Sequence, residues 1–85
     1  MYSILFTRSA EKALRAMPRD VVARIRERLD EIARDPHGRH GDVTKLQNRP
    51  GYRIRVGDWR VIYEIDGESL IILVLRIGPR GEVYR

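Results

Sequence analysis

The stretch "YRIRVGDWRVIYEID", residues 52 to 66, decides how the rest of the chain is read. Apolar residues alternate with polar ones on both sides of Gly57–Asp58, which predicts a β-hairpin with strands over about 52–56 and 59–65. A two-residue turn sets Val56 opposite Trp59, Arg55 opposite Arg60, Ile54 opposite Val61 and Tyr52 opposite Tyr63. Side chains alternate across a strand, so Tyr52, Ile54, Val56, Trp59, Val61 and Tyr63 share one face, and Arg53, Arg55 and Arg60 share the other. Like charges directly opposite each other destabilise a sheet. The second strand offers one acid on that face, Glu64, and from Lys45 to Arg60 five basic residues stand against Asp58 alone. A plain solvent face that keeps the sheet soluble is one reading. A cradle for phosphates, in which a bound polyanion relieves the repulsion, is the other, and the density of charge favours it.

Outward from the hairpin, "SLIILVLRI" (69–77) follows a turn signal at Asp66–Gly67. Its near-continuous apolar run predicts a central strand buried on both faces. Upstream, "YSILFT" (2–7) is β-prone. Ala10, Ala13, Leu14 and Met17 then recur at helical spacing, with Thr7 and Ser9 as candidate caps. Pro18 separates this helix from a second one in "PRDVVARIRERLDEIARD" (18–35), whose apolar stripe is Val21, Val22, Ile25, Leu29, Ile32 and Ala33. The mixed charge of its outer face reads as ordinary solvated surface. "DPHGRHGDVT" (35–44) reads as a loop, and "TKLQNRPGY" (44–52) leads into the sheet with Leu46 as core anchor. The expected order is β-α-α-β-β-β: a single α+β domain over residues 1–85, with a helical hairpin packed on one face of a small, mostly antiparallel sheet.

Composition narrows the function. With 85 residues and no Cys, the chain has room for one modest core and no disulfide or thiolate metal site. No segment approaches a membrane span or a signal peptide, so a cytoplasmic location without membrane contact is expected. The formal net charge of +5 points to a polyanionic partner. Fifteen of the 17 basic residues are Arg, which grips phosphate bidentately and stacks on bases, although genome composition explains such a bias equally well. His37 and His40 have a spacing a metal can use but lack carboxylate or Cys partners, so they read as surface histidines and no metal or cofactor is expected. The ending "RIGPRGEVYR" (76–85) places Arg76, Arg80 and Tyr84 after the third hairpin strand. Its Gly and Pro content predicts a loop that brings Arg80 back over the sheet. Tyr84 reads either as a packing residue or as a phenol whose pKa nearby guanidiniums depress, suited to stacking or proton transfer.

Three features, "TKLQNRPGYRIRVGDWRVIYEI" (44–65), the apolar third strand and "GPRGEVYR" (78–85), together resemble the RelE/ParE superfamily of type II toxins over nearly the whole chain. The resemblance is to the RelE-like branch in particular: Arg53 and Arg55 match its basic strand pair, Arg60 its second-strand Arg, Arg80 its loop Arg, Tyr84 its C-terminal Tyr, and Lys45 a basic residue before the hairpin. Some members carry Lys at the positions of Arg53 and Arg55, and many have His or Lys where this chain has Pro79. RelE-like toxins cut mRNA in the ribosomal A site, whereas ParE-like members poison DNA gyrase. The resemblance therefore implies a metal-independent endoribonuclease working by attack of an RNA 2′-hydroxyl. Arg55, Arg60, Arg80 and Tyr84 would be catalytic, and Lys45, Arg53 and Arg76 would bind RNA. It also implies as partners a cognate antitoxin, the ribosome and mRNA, with operator DNA reached only through the antitoxin complex. A gyrase poison, or an inactive nucleic-acid-binding member of the fold, is the alternative.

Overall fold

The computed structural model describes residues 1–79. Its elements are β1 (Ser3–Phe6), α1 (Arg8–Arg15), α2 (Arg19–Arg34), β2 (Val43–Lys45), β3 (Tyr52–Val56), β4 (Trp59–Asp66) and β5 (Ile71–Pro79). They form one five-stranded sheet in the order β1-β5-β4-β3-β2. β1 runs parallel to β5, and every other pair is antiparallel. The α+β class and the helical hairpin over one face are as expected. The sheet gains a strand, because β2 forms where only a lead-in segment was expected. Its three residues are too few to show a period, and its pairing with β3 comes from tertiary context.

Thr7 begins α1. Its backbone is extended, and its hydroxyl oxygen accepts from the Ala10 N–H at 3.2 Å, supplying one of the bonds the first helical turn lacks. The same hydroxyl donates to the Leu75 carbonyl at 2.7 Å, and the Thr7 N–H donates to the Val74 carbonyl at 3.0 Å. One residue thus starts the first helix and ties it to β5. Pro18 caps α2 without a side-chain bond, and α2 lays Val21, Ile25, Leu29, Ile32 and Ala33 into the core. These pack with Leu14 and Met17 on Ile54, Val56, Val61, Tyr63, Ile72, Val74 and Ile77 of the sheet. Tyr63 is 1 % exposed and stacks on Tyr52 with ring centroids 5.5 Å apart. Burial pushes the Tyr63 phenol well above its usual pKa, so it stays neutral.

Three expectations need correction. β5 is an interior strand, but it is not buried on both faces: Ile72, Val74 and Ile77 are buried, Leu73 and Leu75 are half-buried, and Arg76 is exposed. Both helices pack on the same side, so among the described residues no helical layer covers the opposite face. Leu46 is half-buried and lies outside the core cluster. The turn between β4 and β5 is longer than Asp66–Gly67. Asp66 pairs with Ile71, and the Asp66 carboxylate accepts the N–H groups of Glu68 and Ser69 at 3.1 Å each. Leu70 takes a positive φ of 55° to close that loop. An Asp that bonds its own downstream backbone makes a wider turn than the Asp-Gly signal alone implies.

Much of the outer face of α2 is exposed, and Arg28 on its flank makes a specific link. Arg28 grips Asp42 through two bonds of 2.7 Å, Nε to Oδ2 and Nη2 to Oδ1, and donates a third of 2.7 Å to Glu31. The Asp42 carbonyl accepts from the Arg55 N–H at 3.1 Å, so this pair anchors the start of β2 and the end of β3 to the helix. The Arg28 bond holds the Asp42 carboxyl below its ordinary value, and Asp42 in turn raises the Arg28 pKa. A lowered carboxyl stabilises the fold above its unfolded pKa and ceases to do so as pH falls through the folded value.

Two stability predictions follow from these anchors. Thr7→Ala removes both a cap and a link to β5, and is expected to cost about 1–2 kcal/mol in chemical denaturation, with Thr7→Ser retaining most of it. Asp42→Asn should cost about 1–2 kcal/mol near neutral pH. Its difference from the parent should shrink as pH drops below the ordinary carboxylate value of 3.8. A difference that holds constant into acid would show that the pair does not act through charge.

Candidate nucleic-acid interface

The interface is built by a tight turn. Gly57 has φ +60°, Asp58 does not share that positive region, and Val56 pairs directly with Trp59. Glycine with positive φ at the first central position belongs to a II′-type hairpin turn, which matches the twist of the flanking strands. The register that follows is the expected one: Arg55 opposite Arg60, Ile54 opposite Val61, Arg53 opposite Ile62, Tyr52 opposite Tyr63. Ile54, Val56, Val61 and Tyr63 lie in the core with the helices, so Arg53, Arg55 and Arg60 occupy the far side of the sheet.

The three guanidiniums are not equivalent. Arg55 is exposed and Arg53 half-buried, whereas Arg60 is only 6 % exposed. Arg60 folds back over the turn, its Nη1 donating to the Trp59 carbonyl at 3.2 Å and the Gly57 carbonyl at 3.4 Å. Register places Gly78 across from Arg60 on β5, so no side chain crowds it from that strand. The expected clash between Arg55 and Arg60 is therefore eased by backbone carbonyls within the fold itself. Arg60 is the oriented member of the set and Arg55 the accessible one.

Arg76 reaches the same face through an irregularity. The β4–β5 register shifts between Ile62 and Tyr63, so that Tyr63 pairs with Val74 and Ile62 with Arg76, leaving Leu75 as the extra residue. With plain alternation Arg76 would follow Val74 into the core. The bulge at Leu75 turns it outward and turns Ile77 inward. Arg76 thus lies inside β5, not after it. The strand runs on through Gly78 and Pro79, which pair with Arg60 and Trp59, where a loop was expected. Lys45 is placed differently again. It pairs with Tyr52 while Thr44 pairs with Arg53, so alternation sets Lys45 on the helical side at the end of β2. It still borders a recess shared with Arg49 and Arg53. Arg80 and Tyr84 lie outside the described residues.

Sequence reasoning left two residues without a role. Arg49, exposed in the loop between β2 and β3, lines both that recess and a neighbouring cleft. Glu64, noted only as the one acid of this face, stands on the same cleft with Ile62 and Leu75. Ile62 is 7 % exposed although it faces away from the helices. The Leu46–Gly51 segment forms the cleft's lip, closed by the Leu46 N–H donating to the Gly51 carbonyl at 3.0 Å. Among the described residues, no group of His, Asp and Glu side chains is placed to hold a metal. His40 Nε2 lies 2.8 Å from the Asp35 carbonyl oxygen. No helix of the described residues is long and apolar enough to cross a membrane.

Two helices packed on one side of a five-stranded mixed sheet match the fold of solved RelE toxins. The sequence model of the ParE toxin of type II toxin–antitoxin systems matches residues 4–84, and the chain belongs to this RelE/ParE toxin family. It is similar to RelE in the crystal structure of the RelE–RelB complex from Pyrococcus horikoshii, with 33 % identity, 95 % of this chain and 97 % of that chain covered, and a TM-score of 0.79. The isolated Escherichia coli RelE toxin is 26 % identical over 99 % of this chain and 92 % of that one, with a TM-score of 0.81. Toxin RelG of Mycobacterium tuberculosis is 28 % identical over 99 % of this chain and 97 % of its own length.

Gly51 tests the lip. Its φ is +111°, and a Cβ there would stand 2.8 Å from the Tyr63 carbonyl oxygen and 3.3 Å from Glu64 Cγ. Gly51→Ala is expected to cost roughly 2 kcal/mol or more, since both the backbone conformation and a neighbouring carbonyl oppose it. Thermal unfolding reads this as a drop of about 8 °C or more.

Proposed function

We propose that this type II toxin is a ribosome-dependent endoribonuclease that cuts mRNA in the ribosomal A site. The observation that carries the reading is the shared face of Arg53, Arg55, Arg60 and Arg76, set by a hairpin register and a bulge. In the reaction the 2′-hydroxyl oxygen attacks its own phosphodiester. A bond forms from O2′ to phosphorus and the bond to O5′ breaks, leaving a 2′,3′-cyclic phosphate and a 5′-hydroxyl. The chemistry needs a proton acceptor at O2′, donors to the phosphoryl oxygens and a proton for O5′.

Arginine suits the middle task, because its pKa lies above about 12 and it donates without exchanging protons. Arg53, Arg55 and Arg76 hold phosphates. Arg60, fixed by two carbonyls, faces the reacting phosphoryl group with its orientation already set, as electrostatic stabilisation requires. Arg80 serves the leaving oxygen, and Tyr84 acts as base or as a stacking platform. No metal or cofactor takes part. The cognate partner is an antitoxin, in keeping with the RelE–RelB complexes of the relatives; acidic residues of that antitoxin would satisfy the guanidiniums of the arginine face. That complex contacts operator DNA through the antitoxin, and the toxin acts in the cytoplasm.

The family model's description as a ParE toxin favours one other reading, a gyrase poison. Induced expression followed by mapping of mRNA ends on ribosomes separates the two. Cuts inside translated codons are expected, whereas intact messages with broken DNA would make the chain a gyrase poison. Arg60→Ala should slow single-turnover cleavage by about 10²–10³-fold. Arg55→Ala should mainly weaken RNA binding and flatten its dependence on salt. Tyr84→Phe cleaving at the parent rate would remove the tyrosine base, and Arg60→Ala doing so would remove the cradle.

A further inference from the structure

The phosphate face leaves a neighbouring feature unused. The cleft lined by Leu46, Arg49, Pro50, Ile62, Glu64, Leu75 and Arg76 has a volume of about 270 Å³. That is just under the ~300–1,000 Å³ typical of pockets for drug-sized ligands, and it suits one planar ring system. Its walls are apolar where Leu46, Pro50, Ile62 and Leu75 stand, and Arg49 and Arg76 bring guanidiniums, which stack on bases. A second recess of about 310 Å³ adjoins it and is basic, with Lys45, Arg49 and Arg53 on its lining. Arg49 belongs to both. An apolar slot beside a basic recess has the dimensions and chemistry of one nucleotide, base on one side and phosphate on the other.

Among the described residues of this face, Glu64 is an acid in a field of arginines. Its stem lies against Gly51, close enough that a Cβ on that residue would come within 3.3 Å of Glu64 Cγ. The strained glycine with φ +111° thus admits Glu64 to the wall of the cleft. A carboxylate repels phosphate, so its presence here calls for a ligand that donates hydrogen bonds. Cytosine, adenine and guanine each carry an exocyclic amino group on the edge that single-stranded RNA presents. Uracil presents one N–H between two carbonyl oxygens, which a carboxylate opposes.

We propose that this cleft is a nucleobase subsite and that Glu64 reads the base in it, favouring amino-bearing bases over uracil. The inference rests on the RNA-cleaving reading above and adds a specificity residue to it. Arg49 is the positioning residue between the base and its phosphate.

Binding of four 2′-O-methylated RNA trinucleotides, uncuttable and differing only in the central base, tests this with the full chain in solution. The parent protein is expected to bind the cytosine, adenine and guanine forms at least about tenfold more tightly than the uracil form. Glu64→Gln, which can both donate and accept, should bring the four within about twofold of one another. A flat series in the parent overturns the proposal without reference to any variant, as does absence of binding. Equal strengthening of all four by Glu64→Gln also overturns it, because Glu64 would then be a plain counter-charge. Base discrimination in a chain that leaves ribosome-bound mRNA uncut would refute the nuclease and keep the subsite. Cutting with a flat series would do the reverse.

Discussion

The pairing of β3 with β4 is the constraint on which the rest depends. A slip of β3 against β4 by one residue turns every side chain of β3 to the other face. The slip would push Arg53 and Arg55 toward the helices and expose Ile54 and Val56, which are buried as they stand. Burying unpaired guanidiniums costs several kcal/mol each, so the hydrophobic face and the charged face fix the same register from opposite sides. Gly57 adds local agreement by supplying the positive φ of the turn. The core and the candidate interface are thus two consequences of one pairing.

The far edge of that interface depends on a different device. The extra residue Leu75 turns Arg76 outward, and the Leu75 carbonyl accepts from the Thr7 hydroxyl at 2.7 Å. The residue that starts α1 therefore also bonds to the bulge that aims Arg76. Arg28 and Asp42 do similar work at the other edge, tying β2 and β3 to α2. Side chains on the helical side of the molecule thus hold the arginine side in place, although no helix residue belongs to it.

Much of this was legible in the chain. The two-residue turn fixes parity, and parity assigns Arg53, Arg55 and Arg60 to one face. What was not legible has physical causes. β2 is too short to carry a period, and only its partner makes it a strand. β5 has an apolar run that reads as two-sided burial, but the face bearing Leu73 and Leu75 is half-open and lines a cleft. The break from Val74 to Ile77 was a visible sign of the bulge, since a regular strand would have placed its next core residue at 76. Leu46 faces that cleft instead of the core. The burial of Arg60 was hidden because carbonyl partners three residues and one residue away leave no mark in composition.

The central claim is that the far face of the sheet receives an RNA backbone. Titrating a short uncuttable RNA into the chain and following backbone amide shifts tests it most directly. Perturbations confined to residues 53–64 and 75–76 and the 46–51 lip, weakening steeply as salt rises, are the predicted result. Shifts gathered on α1 and α2 instead, with the hairpin unmoved, would contradict it.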